Sequence, residues 1–153
     1  MDYVTRVLQP GENVVHLSRI HPIIFLPAVL WFVAALVLFI AALSLSGDYR
    51  IGGEALAVFA VIFSLAAGIP ALIRRATTEL AVSDRRVIYK SGVFARHTLE
   101  MNRSKVESVD VDQSILGRIF GFGTIIVRGT GGSLEPIRMI SDPLTFRSHI
   151  TAG

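Results

Sequence analysis

The sequence contains no cysteine, a single tryptophan and four histidines among its 153 residues. The lack of cysteine excludes disulfides and cysteine-ligated zinc sites. Strings that define common catalytic and metal sites are also missing, among them GxxxxGK[ST], HExxH, GxSxG and DxDxDG. His16 and His21 are five residues apart, a poor spacing for two ligands on one helix face. The sequence therefore predicts no catalytic site, no cofactor and no metal centre.

One glycine-rich stretch, LGRIFGFGTIIVRGTGG at residues 116–132, could at first sight cradle a phosphate. A dinucleotide-binding fingerprint requires GxGxxG between a strand and a helix. Here Gly121 and Gly123 are followed by Thr-Ile-Ile-Val, which is typical of a strand, so no helix N-terminus is offered to a phosphate. The glycines at 129–132 lie between two strand-like segments, as in a hairpin turn. We therefore predict turns around a strand.

Charged residues are missing from two long apolar runs, residues 23–45 and 55–73. At about 1.5 Å per residue, these runs would form helices of roughly 34 and 28 Å, close to the ~30 Å thickness of a bilayer core. The alternative is a pair of buried core helices, but a domain this small cannot cover two helices that are apolar on all sides. A cleaved signal peptide does not fit, because a second run follows the first. We predict two transmembrane helices.

The short link between the two runs, residues 46–54, predicts an antiparallel helical hairpin. Arg19, Arg74 and Arg75 flank the outer ends of the hairpin, whereas the link carries only Arg50. Because basic residues accumulate on the cytoplasmic side, residues 1–22 and 74–153 are predicted to be cytoplasmic and the link external. His21 is expected at the membrane interface, and the other histidines are expected on the surface.

The C-terminal 80 residues, 74–153, read as short strands separated by turns. They end in SDPLTFRSHI, in which Pro143 suits a first helical position and Phe146 and Ile150 would face the core together. We predict a mainly-β domain, a curled antiparallel sheet or partly open barrel capped by a C-terminal helix. The strands are predicted at 77–82, 86–92, 93–101, 105–112, 124–129 and 133–140, with one or two helical turns within 114–123.

Several motifs in this half of the chain resemble those of the bacterial pleckstrin-homology-like (PH-like) domain family, and more narrowly its membrane-anchored YdbS-like branch. They include TELAVSDRRV at 78–87, KVESV at 105–109, QSILGRIFGFGT at 113–124 and ISDPLTF at 140–146. The N-terminal LQPGE at 8–12 and His21 also fit. The resemblance implies a PH-like fold at a bacterial plasma (inner) membrane.

The resemblance also implies seven strands, one more than the six counted after the apolar runs. The alternating, β-prone segment 12–19, ENVVHLSR, is predicted to supply the seventh, so that the helical hairpin is inserted into the domain. Glycine or proline in place of Val15 is then expected to unfold the C-terminal domain.

Two functions from different classes agree with this reading. The first is a protein-interaction or accessory module at the cytoplasmic face of the membrane, with another protein or a second copy as partner. The alternative is an anionic-lipid-binding module whose candidate headgroup contacts are Arg74, Arg75, Arg85, Arg86, Lys90 and Arg96. Nucleic acid is a poor fit, since residues 74–153 carry a balance of only +4. No small-molecule substrate is predicted, and Asp110 and Asp112 are expected at a solvated strand end.

Overall fold

The computed structural model describes residues 2–92, 97–130, 132–133 and 136–151. Two 3-10 turns, Pro22–Phe25 and Arg103–Lys105, accompany the regular elements. The helices are α1 (Asp2–Val7), α2 (Leu26–Leu43), α3 (Asp48–Thr77), α4 (Ile115–Phe120) and α5 (Pro143–Thr151). The strands are β1 (Val14–Ser18), β2 (Glu79–Ser83), β3 (Arg86–Ser91), β4 (His97–Asn102), β5 (Val106–Asp112), β6 (Phe122–Gly129), β7 (Gly132–Ser133) and β8 (Ile137–Ser141).

The chain divides into two compact units, and the first is built from both of its ends. This unit, called the sheet unit below, comprises Met1–His21 and Arg74–Gly153. The second, the helical unit, comprises Pro22–Ile73. The helical unit is therefore an insertion between β1 and β2.

Small side chains form the contact between the two helices of the helical unit. In α2, Ala35 and Ala42 are seven residues apart and buried, and in α3 Ala57 and Ala60 are buried. The Ser64 hydroxyl donates a hydrogen bond of 2.8 Å to the carbonyl of Ala28. Small residues let helix backbones approach closely, and a hydroxyl bound to a neighbouring backbone carbonyl is typical of helices packed in an apolar solvent.

The chain contains two helices long and apolar enough to cross a membrane, residues 22–43 and 48–77. Only 11% and 17% of their most apolar windows are buried. Core helices of a soluble domain would be mostly buried, so these proportions favour the membrane-spanning interpretation over the alternative of two core helices.

The predicted link between the spans is shorter in the structure than the sequence suggested. The helix α3 begins at Asp48, so most of residues 46–54 is helical. Asp48 lies in the first turn, where a negative charge is favourable, and Arg50 and Glu54 pair at 2.9 Å one turn apart. At its other end α3 continues to Thr77, so Pro70 lies inside the helix rather than close to its end.

The strands of the sheet unit form two four-stranded antiparallel sheets. The first has the order β1-β2-β3-β4, and in the second β6 lies between β5 and both β7 and β8. An isolated bridge between Ile20 and Ile140 joins the two sheets at one corner. The curled antiparallel sheet of the sequence prediction is thus divided in two, and the chain passes from one sheet to the other through the turn at Arg103–Lys105.

The core of the sheet unit follows the alternation of its strands. Ile125 and Val127 of β6 are fully buried with Phe146 of α5. In β5 the alternation is broken because the register shifts between Val106 and Ser108, which is a β-bulge. The predicted C-terminal helix is present as α5. The predicted strand 93–101 is described from His97 onward, and residues 93–96 lie outside the described residues.

The N-terminal segment contributes the strand β1, which pairs antiparallel with β2. The register aligns His16 with Val82, Leu17 with Ala81 and Ser18 with Leu80. It shifts between Val14 and His16, so Val15 occupies a bulge. A bulge residue has no direct partner across the ladder, so proline at Val15 is a weaker test of this strand than the sequence suggested.

We predict that Leu17→Pro opens the sheet unit more than Val15→Pro. Proline at Leu17 constrains the backbone within the regular ladder opposite Ala81, whereas proline at Val15 falls in the bulge. Amide hydrogen exchange of the full chain in detergent should show faster exchange in β2 and β3 for Leu17→Pro. Exchange in Leu17→Pro as slow as in the unchanged chain would mean that β1 does not hold the sheet together.

Candidate functional site

The five candidate headgroup contacts that the structure describes do not form one site. Arg86, at the start of β3, is buried rather than exposed. Its guanidinium donates to both carboxylate oxygens of Glu12, at 2.9 and 2.8 Å, and also to Glu100 and to the carbonyl of Val7. These four acceptors leave Arg86 no access to a lipid headgroup. The side chain is thus an internal cation of the fold, which argues against the predicted headgroup contact.

The partner of Arg86 is delivered by a turn in the N-terminal LQPGE motif. The Glu12 amide donates to the carbonyl of Gln9 at 2.9 Å, with Pro10 and Gly11 at the two central positions. Gly11 has a φ of 78°, which a type II turn requires at its third position. The Gln9 amide donates in turn to the Glu12 carboxylate at 2.8 Å. The turn thus orients the carboxylate before it meets Arg86.

Glu12 is stabilised as an anion by its surroundings. The hydrogen bond from Arg86 is the largest cause, and together with the amide of Gln9 and the Ser83 hydroxyl it outweighs burial and lowers the pKa of Glu12 to about 2. The Ser83 hydroxyl donates to the carboxylate at 2.6 Å and accepts from the Arg86 amide at 2.9 Å. The same surroundings raise the pKa of Arg86, again chiefly through its hydrogen bond to Glu12.

Lys90 also has internal partners. Its ammonium lies 3.4 Å from the Glu79 carboxylate and 5.1 Å from the centre of the Tyr3 ring. Glu79 in turn accepts a hydrogen bond from the Val4 amide of α1. Val4 is buried against Ala81 and Ile88. Lys90 and Glu79 therefore help to fasten α1 to the first sheet.

Among the remaining basic candidates, Arg85 is separated from Lys90 by the length of a strand. Arg85 is exposed in the turn between β2 and β3. Lys90 lies opposite Glu79 at the other end of these strands. This is the end at which β2 begins, directly after α3, whose last turn carries Arg74 and Arg75. Five residues of strand span roughly 17 Å, which is too far for one headgroup to contact both ends. Arg96 lies outside the described residues. Among the described candidates, Lys90, Arg74 and Arg75 therefore lie toward one end of these strands and Arg85 at the other, so they do not converge on one basic pocket.

The histidines and the paired aspartates do not form a metal site in the part of the chain that the structure describes, where no group of three potential ligands occurs. His16 is half-buried rather than on the surface. It stacks on His149 with ring centres 4.7 Å apart, and burial is the main cause of its lowered pKa. Asp110 pairs with Arg128 at 3.1 Å in an exposed position.

An open cleft of about 750 Å³ lies between the turn before α4 and the start of α5. Its charged lining consists of Arg118 with Asp112 and Asp142, a balance of −1. Gln113 at its rim donates hydrogen bonds to the carbonyls of Phe122 and Gly117. Two carboxylates and one guanidinium do not suit a phosphate. Gly121 ends α4 in the left-handed conformation, with a φ of 73°.

The feature that sequence reasoning missed is an apolar surface on α4, which we call the α4 patch. It consists of Ile115, Leu116, Ile119 and Phe120, which are 79%, 57%, 69% and 54% exposed. The sequence predicted one or two helical turns within 114–123, but this spacing alone does not distinguish a face that turns inward from one that turns outward. The signal that could have distinguished the two was Gly117, the residue of α4 that is buried instead.

The α4 patch is close to the residues at which the chain leaves the sheet unit. The amide of His21, the last residue before the helical unit, donates to the carbonyl of Met139 at 2.6 Å. The guanidinium of Arg74, the first residue after the helical unit, lies 3.5 Å from the carbonyl of Arg138, the residue before Met139. The His21 ring packs on Phe122 at 5.5 Å, two residues beyond the end of α4. His21 and Arg74, where the chain leaves and re-enters the sheet unit, therefore lie in the same region of that unit as the α4 patch.

A comparison with protein-family models agrees with this fold. The model described as a bacterial PH domain matches residues 21–152, nearly the whole chain. The chain therefore belongs to the bacterial PH domain family. This family is typically non-catalytic, and its fold indicates a binding or accessory module. No curated protein and no solved structure matches the chain.

We predict that Glu12→Gln destabilises the sheet unit by about 3 kcal/mol, because it leaves the buried Arg86 charge without its main partner. The acid dependence of stability should weaken as well. A carboxyl with a pKa lowered from 4.5 to about 2 contributes stability that is complete above pH 4.5 and is lost as the pH falls toward 2. Thermal unfolding of the full chain in detergent, measured between pH 7 and pH 3, checks both effects.

The matched control is Asp110→Asn, which breaks an exposed pair with Arg128. Its expected cost is at most about 1 kcal/mol. The double change Glu12→Met with Arg86→Met should cost less than Glu12→Gln alone, since it removes both buried charges. If Glu12→Gln proves no more costly than Asp110→Asn, the buried pair does not support the fold.

Proposed function

We propose that this chain is a non-enzymatic binding module anchored at the cytoplasmic face of a bacterial plasma membrane, where it acts as an accessory subunit of another protein. The observation that carries the proposal is the exposed outer strand of the first sheet. This strand, β4, pairs with β3 and ends the strand order of its sheet within the described residues. It is exposed at His97, Thr98, Glu100 and Asn102.

The outer edge of such a strand presents a row of backbone donors and acceptors to which a partner segment can add as a further strand. The register of β4 on β3 is regular from Ser91 opposite His97 to Arg86 opposite Asn102, so its edge is continuous. The hydrogen bond from Arg86 to Glu100 ties the centre of β4 to the buried ion pair. A rigid, continuous edge suits a protein segment better than it suits a lipid.

The insertion of the helical unit supports the proposed topology. The strands β1 and β2 lie on either side of the insertion in the sequence and pair directly in the fold. Paired strands must lie in the same compartment, so the segment between them must cross a membrane an even number of times. Two spans satisfy this condition. With the bias of basic residues, this supports two cytoplasmic termini and an external link.

The contacts of Arg86 and Lys90 argue against the alternative of an anionic-lipid reader that uses these basic loops. Both side chains are engaged with carboxylates of the same unit. Arg74, Arg75 and Arg85 can still contribute to attraction toward an anionic membrane surface, each as a separate charge. Within the family, we propose the YdbS-like branch on the motifs quoted above.

We predict that native mass spectrometry of the chain, extracted from its own membrane in a mild detergent, shows a defined heteromeric mass. The double variant His97→Lys with Thr98→Lys should lose that mass, because lysines on an exposed edge oppose the addition of a strand. The matched control is Ser148→Lys on the exposed surface of α5, which should retain it.

A mass corresponding to the chain alone, or to copies of the chain alone, contradicts the accessory-subunit proposal. A heteromer that survives the β4 double variant keeps the accessory role but removes β4 as the binding edge. A single chain that retains an anionic lipid restores the lipid-reading alternative.

A further inference from the structure

The α4 patch is held outward by its own geometry. At 100° per residue, Ile115, Leu116, Ile119 and Phe120 fall within an arc of roughly 140°. Gly117 lies outside this arc and faces the sheet unit, where a Cβ would come within 2.5 Å of the Phe122 carbonyl oxygen. A rotation of α4 that buried the apolar arc would replace Gly117 beside the Phe122 carbonyl by a residue with a side chain, for which there is no room.

Both ends of α4 are fixed, so the exposure of the patch does not come from a frayed helix. The Ser114 hydroxyl accepts a hydrogen bond from the Gly117 amide at 3.1 Å. At the other end the carbonyl of Gly121 accepts a hydrogen bond of 2.9 Å from the Asp142 amide. A capped turn that presents four large apolar side chains to solvent indicates a surface that is covered in the working protein.

The short connection between His21 and the first apolar run restricts what can cover the α4 patch. Ile23, the first residue of the apolar run, is two residues after His21, about 4 Å along a 3-10 turn. If the run spans the membrane, His21 must lie in the interfacial layer, which is roughly 5–8 Å thick on each side of the hydrocarbon core. The His21 ring contacts Phe122, whose carbonyl is in turn packed against Gly117 of α4. The patch is therefore within reach of the same layer.

We propose that the α4 patch inserts into the interfacial layer of the bilayer in which the chain is anchored. This docking is independent of the protein-binding function proposed above and makes the sheet unit rest on the membrane in a fixed orientation. His21 joins the sheet unit directly to the first apolar run, so insertion of α4 would cost little further translational freedom. The charged residues that line the cleft beside α4, Arg118 with Asp112 and Asp142, sum to −1. The contact is consequently an apolar one that does not require anionic lipid.

The absence of cysteine makes this proposal directly measurable. The full chain is reconstituted in phosphatidylcholine vesicles as single-cysteine variants that carry an environment-sensitive fluorophore. Ile119→Cys reports on the centre of the patch, and Ser148→Cys, exposed on α5, is the matched control. The label at position 119 should emit at shorter wavelength, resist an aqueous quencher and be quenched by spin labels attached near the lipid headgroup. The label at position 148 should respond only to the aqueous quencher.

A second pair of variants tests whether the apolar side chains cause the effect. In Ile115→Cys, with Leu116→Ser and Phe120→Ser added, the blue shift and the quenching by lipid should be lost. These positions are exposed, so the substitutions leave the core intact, which exchange in β6 can verify. Ile115→Cys alone should behave like Ile119→Cys. Replacing part of the phosphatidylcholine by phosphatidylglycerol should change these results little.

Three outcomes would overturn the proposal. A label at position 119 that the aqueous quencher reaches as readily as the label at position 148 means that the patch faces water. A label protected from both the aqueous and the lipid-borne quencher, with protection that disappears on dilution of the protein in lipid, means that a second copy covers the patch. Protection that appears only with phosphatidylglycerol means that charge drives the contact. None of these results depends on a protein partner, so each is distinguishable from failure of the proposed function.

Discussion

The buried ion pair between Glu12 and Arg86 joins the two ends of a discontinuous domain. The carboxylate comes from the N-terminal segment and the guanidinium from β3, with the whole helical unit between them in the sequence. A buried pair of this kind contributes little compared with apolar packing, but losing one partner is costly. Its main effect is therefore on conformational specificity, because the N-terminal turn can bring Glu12 to Arg86 in only one register on the first sheet. The carbonyl of Val7, Ser83 and Glu100 are bound to the same two side chains.

This constraint decides which charges are left for binding. Two of the basic side chains that resemble headgroup ligands in the sequence neutralise carboxylates within the fold. What the sheet unit exposes instead is a continuous strand edge at β4 and an apolar turn at α4. These surfaces are chemically different, one offering backbone hydrogen bonds and the other apolar area. A single small domain can therefore face a protein with one side and a lipid layer with another.

Much of the fold could be predicted from the sequence because it depends on local patterns. Uncharged runs, alternating strands, Pro143 at a helix start and Gly121 at a helix end each act over a few residues. The strand in the N-terminal segment was predicted by counting strands, and its pairing with β2 is present. The role of Arg86 could not be predicted, because its partner lies 74 positions away. The outward direction of α4 was also hidden, since its spacing is the same whether the face turns in or out.

The insertion between β1 and β2 also imposes an order on synthesis. Sixty residues separate Ser18 from Glu79, so β1 leaves the ribosome roughly 3–12 s before the strand that completes it, at about 5–20 residues per second. During that interval its exposed edge has no partner, and the hairpin must be placed before one arrives. A hairpin that failed to return to the starting side would leave the two strands in different compartments. On the proposed topology, the sheet unit would fold only on chains whose hairpin had returned to the starting side, so its folding would act as a check on topology.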